Sequence, residues 1–415
     1  MLPARQDLLA LGARYTCSAR SLLFDLSKFG VSIGELSHSV QAHPGIWRFP
    51  IVAPSVVASS AMTLDIRSHS GPRPSRTNPP TVAGPVAGVL GAVLATSVAV
   101  WLTRSAPIPG VVLPPDAVRF GVPLARVLLD LALTATVGLS LLPMLLGQRH
   151  DPGLRRALRT AHRGALVAAV TWLAAALVSV ALGTAELAPV PGITPATLAA
   201  YVREFSSAQA LLVSAGIALL AAALATAGIR SPSPLPARLL VATAGLGLLP
   251  LLVTGHAGDL PARWHDLTMV SMQLHVYAAT AWTGGLAATA WLLLGHPPLL
   301  ARALPRFSQL AGLCLAVVAA TGVLNALVEL ATTPGVRLPS VLLTSHYGQL
   351  VLAKAGCLGT LGLLGGYIRV RLLPSVARGR RTALAGWVIG ELAILGVAFG
   401  LAVVLGRSGV LPSGD

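Results

Sequence analysis

Nine stretches of this chain are apolar over roughly the 20 residues needed to cross about 30 Å of hydrocarbon. They fall at about 82–102, 118–147, 161–183, 206–229, 237–255, 267–295, 307–331, 347–368 and 383–405. Lipid offers the backbone no hydrogen-bond partners, so a spanning segment must be a helix or part of a closed barrel. Continuous runs of this length predict helices, and so an all-α, polytopic membrane bundle of about nine transmembrane helices. The two longest are expected to tilt or to run past the bilayer. Only 11% of residues are charged, against about 25% in a soluble domain. The apolar mass is mainly Ala, Leu, Val and Gly, which suits closely packed membrane helices. No internal repeat or soluble domain is legible.

The formal net charge of +16 and pI of about 11.4 would suit a nucleic-acid binder, but the charge sits in loops. From Met62 onward, the segments before the first run and after the second, fourth, sixth and eighth hold seventeen Arg. Among these are Arg155, Arg156, Arg159 and Arg163 and the group Arg378, Arg380 and Arg381. The alternate segments hold six: Arg104, Arg119, Arg203, Arg263, Arg337 and Arg407. They also hold most of the loop acids, including Asp116, Glu186, Asp259 and Asp266. This alternation places the N-terminus inside and the C-terminus outside. The charge is topological, and no nucleic-acid partner is expected.

Residues 1–81 form a separate extension, expected to be disordered, with Ser68–Pro80 rich in Pro, Ser and Arg. Its most apolar piece, Phe49–Met62, is too short and too rich in Pro and Ser to span. Met62 is read as an alternative translation start. The remainder divides into N-terminal transmembrane helices over 82–235, a second transmembrane domain over 236–405 and a short tail, 406–415.

The chain shows no P-loop, GxSxG, HExxH or Rossmann glycine pattern, so it is not expected to be an enzyme. Three cysteines, Cys17, Cys314 and Cys357, give neither a disulfide framework nor a CxxC. Cys314 and Cys357 read as small packing residues. The richest stretch runs from His256 through Trp264-His265-Asp266 to Met269, Met272 and His275. At about 100° per residue, His265, Met269 and Met272 lie within about 60° of one another, with His275 about 60° further round. Imidazole and thioether are ligands for Cu(I), whereas Mg²⁺ or Ca²⁺ would call for oxygen. The plainer reading makes the methionines core fillers and the histidines caps or interhelical hydrogen-bond partners.

Within or at the edge of the spans lie Arg126, Asp130, Lys354 and Glu391, with His346 at an outer edge. Arg126 and Asp130 are spaced i, i+4, as in a structural ion pair. Lys354 can snorkel or neutralise a carboxylate. A lone carboxylate at Glu391, in mid-span, needs a partner or a function. Asp130, Lys354, Glu391 and His346 are the candidate polar residues of a transport path. Gly356, Gly359, Gly362 and Gly365 recur every third residue, a ridge expected to admit a neighbouring backbone.

The C-terminal two-thirds resembles the copper resistance protein D (CopD) family of bacterial multi-pass membrane proteins. The resemblance rests on Thr254-Gly255-His256-Ala257, the segment Leu274–Leu286, Arg306-Phe307-Ser308 and Thr321–Ala326. It continues through Tyr347–Lys354, Arg369, Arg371 and Glu391-Leu392-Ala393, and weakens from the Asp130 helix back to Val82. It implies a plasma-membrane protein of copper handling, for uptake or for delivery to cuproprotein assembly. The chaperone domain often associated with such proteins is absent from the sequence, so if copper is handed over, the donor is a separate periplasmic or extracellular chaperone. Cu(I) is the state the soft ligands call for. Met269 and Met272 are no part of that resemblance.

Two other functions fit the same residues. Membrane cytochromes use His pairs within apolar helices, and His256, His275 and His346 lie toward the outer side, where one haem is conceivable. A second haem would need inner partners, of which only His162 and His296 stand near that side. The other reading is an assembly factor without flux of its own.

Overall fold

A computed structural model of the chain describes residues 82–103, 113–147, 152–190, 192–231, 234–251, 262–333, 340–367 and 382–408. The expectations for 1–81, for His256 and for the Arg378–Arg381 loop lie outside these residues, and His265 is described in its backbone alone. The described residues belong to one unit, Thr77–Asp415. They are helical throughout apart from connections and contain no strand. The protein is an all-α polytopic membrane bundle.

Eleven helices follow in order: α1 (Ala83–Leu102), α2 (Asp116–Leu146), α3 (Pro152–Leu187), α4 (Pro195–Glu204), α5 (Ser206–Arg230) and α6 (Pro234–Leu246). They continue with α7 (Ala262–Leu293), α8 (Pro297–Thr332), α9 (Ser340–Thr344), α10 (His346–Tyr367) and α11 (Thr382–Leu405). Among the described residues, seven are long and apolar enough to cross a bilayer: α1, α2, α3, α5, α8, α10 and α11. The sixth expected run is α7, whose 32 residues suffice in length. It is less apolar because Thr268, Ser271, Gln273, His275, Thr280, Thr283 and Thr289 lie along it. The fifth expected run, 237–255, is helical only as far as Leu246 and then turns. At that turn the Trp172 indole lies where a side chain on Gly247 would point.

α3 is longer than its apolar run, with 36 residues, or about 54 Å at 1.5 Å per residue. Its N-terminal turns carry Arg155, Arg156, Arg159 and Arg163. The short α4 was not anticipated from the apolar pattern. Its start is nonetheless written locally: the Thr194 side chain accepts from the Thr197 amide, Thr197 Oγ1 accepts from the Thr194 amide, and Pro195 opens the helix.

α2 is the central element, packed against α1, α3, α6, α7, α8 and α11. Leu129, Leu133, Leu142 and Thr136 on it are fully buried. The tightest approaches use facing glycines. A Cβ on Gly138 of α2 would overlap the Gly284 backbone of α7, and one on Gly396 of α11 would overlap the Gly88 carbonyl of α1. The glycine ridge of α10 behaves otherwise, contrary to expectation. No heavy atom lies within 4 Å of where a Cβ would stand on Gly356, Gly359, Gly365 or Gly366. The physical difference is reciprocity: α1 and α11 present small residues to each other at matching heights, whereas among the described residues the ridge of α10 meets only the Leu315 side chain of α8, 3.9 Å from a Cβ on Gly362.

Three long-range contacts relate the helix ends. Arg306 Nη1 donates to the Leu145 carbonyl at 2.9 Å, so the start of α8 lies beside the end of α2. Arg126 Nη2 donates to the Leu251 carbonyl at 3.3 Å, bringing the turn after α6 to the first half of α2. Arg407 pairs with Glu186, joining the ends of α3 and α11. The connection between α2 and α3 is short, so the Glu186 end lies opposite the Leu145 end. Each contact joins segments that an alternating up-and-down chain would bring to the same side.

Candidate metal site between α7 and α8

The face of α7 toward α8 carries Met272 and His275, three residues apart and therefore adjacent on a helix surface. Both are half-buried, as is Met269 one turn earlier. Two residues of α8, themselves spaced i, i+4, meet them. His275 Nδ1 lies 3.0 Å from Thr321 Oγ1, and Asn325 Nδ2 donates to Met272 Sδ at 3.8 Å. Gly322 lets the ring lie against the α8 backbone, since a Cβ there would stand 3.3 Å from His275 Cε1. Imidazole and thioether thus share one helix face, each held from behind by a polar group of the neighbouring helix. Such a soft donor pair suits Cu(I).

Lys354 of α10 is half-buried and within electrostatic reach of His275. Among the described residues the ion pairs are Arg126–Asp130 and Arg407–Glu186, so Lys354 has no carboxylate partner there. Asp130 takes both oxygens to Arg126 Nε, at 3.1 and 3.2 Å, which is the i, i+4 pair expected from the spacing. Glu391 is buried on α11, with no hydrogen bond or ion pair among the described residues. His346 is exposed at the start of α10. The structure therefore brings Met272, His275 and Lys354 toward one region and ties Asp130 to Arg126 on α2. Among the described residues no three His, Cys, Asp or Glu side chains gather as a metal-ligand group, and His256 and the His265 side chain lie outside them.

Other polar atoms extend this region along α7. Ser271 Oγ, Trp282 Nε1, Thr283 Oγ1 and Thr289 Oγ1 are buried with no hydrogen-bond partner among the described residues, as is Asn325 Oδ1. At about 100° per residue, Ser271, His275, Trp282 and Thr289 fall within roughly 40° of one another. They form a stripe about 27 Å long, at 1.5 Å per residue. The sequence gives no role to Trp282, Thr321 or Asn325, although they lie in segments that carry the family resemblance, and Thr289 passed unremarked because Thr in an apolar helix ordinarily bonds its own backbone. The histidines expected toward the inner side are otherwise engaged. His162 Nδ1 bonds the Leu158 carbonyl at 2.8 Å and its ring lies against Gly228, while His296 Nδ1 bonds the Leu292 carbonyl at 3.2 Å.

Comparison with protein families gives two matches in chain order. Residues 115–265 match the copper resistance protein D-like N-terminal domain, and residues 301–405 match copper resistance protein D. Between them they span more than half of the chain. The chain belongs to the copper resistance protein D family. Copper resistance protein D members are thus the frame for this site, and the chain is a copper-resistance-related, multi-pass membrane protein housed in a lipid bilayer. His256 falls in the N-terminal match, and Thr321, Asn325, Lys354 and Glu391 fall in the C-terminal one. Met269, Met272 and His275 lie in the stretch between the two. No curated protein and no solved structure matches the chain.

Proposed function

We propose that this copper resistance protein D member carries copper inward across the plasma membrane, taking up Cu(I) at an outer-face site. His275 and Met272 are its described ligands, and His256, His265 and Met269 complete the set. One observation carries the reading: an imidazole and a thioether sit side by side on α7, each backed by a polar side chain of α8. Two neutral imidazoles and a thioether hold Cu(I) without a thiolate, which would bind too tightly for release. The cargo then follows the polar stripe of α7, with Lys354 and Glu391 as the ionisable groups beside the path, His346 at its outer rim and Asp130 kept for structure. Intramembrane ionisable groups are costly and mark such routes.

The N-terminus is inside and the C-terminus outside, with nine crossings. The Arg asymmetry supports this orientation, and the contacts between helix ends agree with the alternation. Asp259 and Asp266 at the outer face concentrate cations there. Copper is delivered by a separate chaperone, and the chain catalyses no covalent chemistry.

In cells, His256→Ala or His275→Ala is expected to abolish copper-dependent accumulation while expression and thermal stability hold. Normal accumulation in either well-expressed variant would overturn the assignment. The purified protein should show no Soret band, and the appearance of one would replace copper by haem.

A further inference from the structure

A threonine hydroxyl has a single proton, and the position of that proton decides how His275 is presented. Thr321 Oγ1 lies 2.5 Å from the Val317 carbonyl oxygen and 3.4 Å from that of Val318. Carbonyl oxygens only accept, so the hydroxyl proton is committed to its own helix, as is common for Thr in a helix. Toward His275 Nδ1, 3.0 Å away, Oγ1 is then left only as an acceptor. Nδ1 must carry the ring proton, and Nε2 keeps its lone pair. The ring turns its Nδ1–Cε1 edge to α8, where the Val318 backbone is a further hydrogen-bond partner.

Resting on the copper reading above, we infer that Thr321 is a positioning residue that fixes His275 as the Nδ1–H tautomer and turns Nε2 toward the metal. A metal-bound histidine commonly gives its other N–H to an oxygen behind it, which sets both tautomer and ring angle. Here the oxygen comes from a hydroxyl whose own proton is already engaged, so the arrangement has one polarity. Gly322 beside it keeps the ring edge close to α8. Asn325, one turn further on, acts differently on Met272: its amide donates to the sulfur itself and leaves that atom's other lone pair for a metal.

The test uses the full-length protein in detergent with ¹⁵N-imidazole-labelled histidine and silver(I) as the soft monovalent probe. The His275 resonances are assigned by their loss in His275→Ala. In the metal-free protein Nδ1 should be protonated and Nε2 bare, and silver should shift Nε2. Thr321→Val, which keeps the volume and removes the oxygen, should lower silver affinity about ten- to hundred-fold and blur the tautomer preference. Thr321→Ser should restore both. A proton on Nε2 in the unmodified chain would overturn the inference without any change at position 321. So would silver bound through Nδ1, or a Thr321→Val variant with unchanged affinity and spectrum. Silver that leaves every His275 resonance in place would instead overturn the copper-site reading beneath it.

Discussion

Arg306 illustrates how a single side chain joins distant parts of the sequence. Its guanidinium donates to the Leu145 carbonyl at the end of α2 and lies beside Gly147, whose φ of 71° closes that helix. A cation on orphan carbonyls at a helix C-terminus is favourable. Because Arg306 is exposed, Arg306→Ala should cost only about 1 kcal/mol. That should appear as a lower thermal midpoint in detergent with silver binding unchanged; a normal midpoint would show the cap is idle. Asp130→Asn should cost more, about 2 kcal/mol, since it leaves a half-buried Arg126 with fewer acceptors. Silver affinity should again hold, and its loss would return Asp130 to the transport path. At this scale the sequence was informative where chemistry is rare in lipid. The Arg126–Asp130 pair followed from spacing, and ligand type made His275 and Met272 candidates. That Thr321 and Asn325 meet them was not legible, because the relative rotation of two helices is a tertiary property.

Among the helices, the apolar runs gave nearly every element, because a span needs length and hydropathy and both are local. The exceptions have physical causes. α6 stops at Leu246, where Trp172 of α3 lies against Gly247, and no local signal reports a neighbour's indole. The glycine ridge of α10 looked like an interface, yet the close approaches fall on α1 with α11 and α2 with α7. Spacing shows that a helix has a small-residue face but not which face meets another helix. A direct contrast follows. Gly88→Leu or Gly396→Leu should prevent folding or sharply lower the yield of monodisperse protein, because the added side chain meets backbone. Gly359→Leu should be tolerated, and equal damage from it would mean that the α10 ridge is covered.

Among the described residues the chain is a helix bundle in which α11 returns to pack along α1, with α2 at the centre. Its orientation is a property of the loops. Arg380→Cys and Ala262→Cys, each in a background lacking Cys17, Cys314 and Cys357, should label from opposite sides of the membrane; labelling from one side would break the nine-span topology. The function proposed at this scale is movement of copper across the bilayer. The most direct measurement is Cu(I) entry into vesicles that contain the purified protein and an internal Cu(I) indicator. Inward copper transport predicts saturable uptake that silver competes, that Arg306→Ala retains and that His275→Ala loses. Uptake no faster than in protein-free vesicles, or undiminished in His275→Ala, would contradict it.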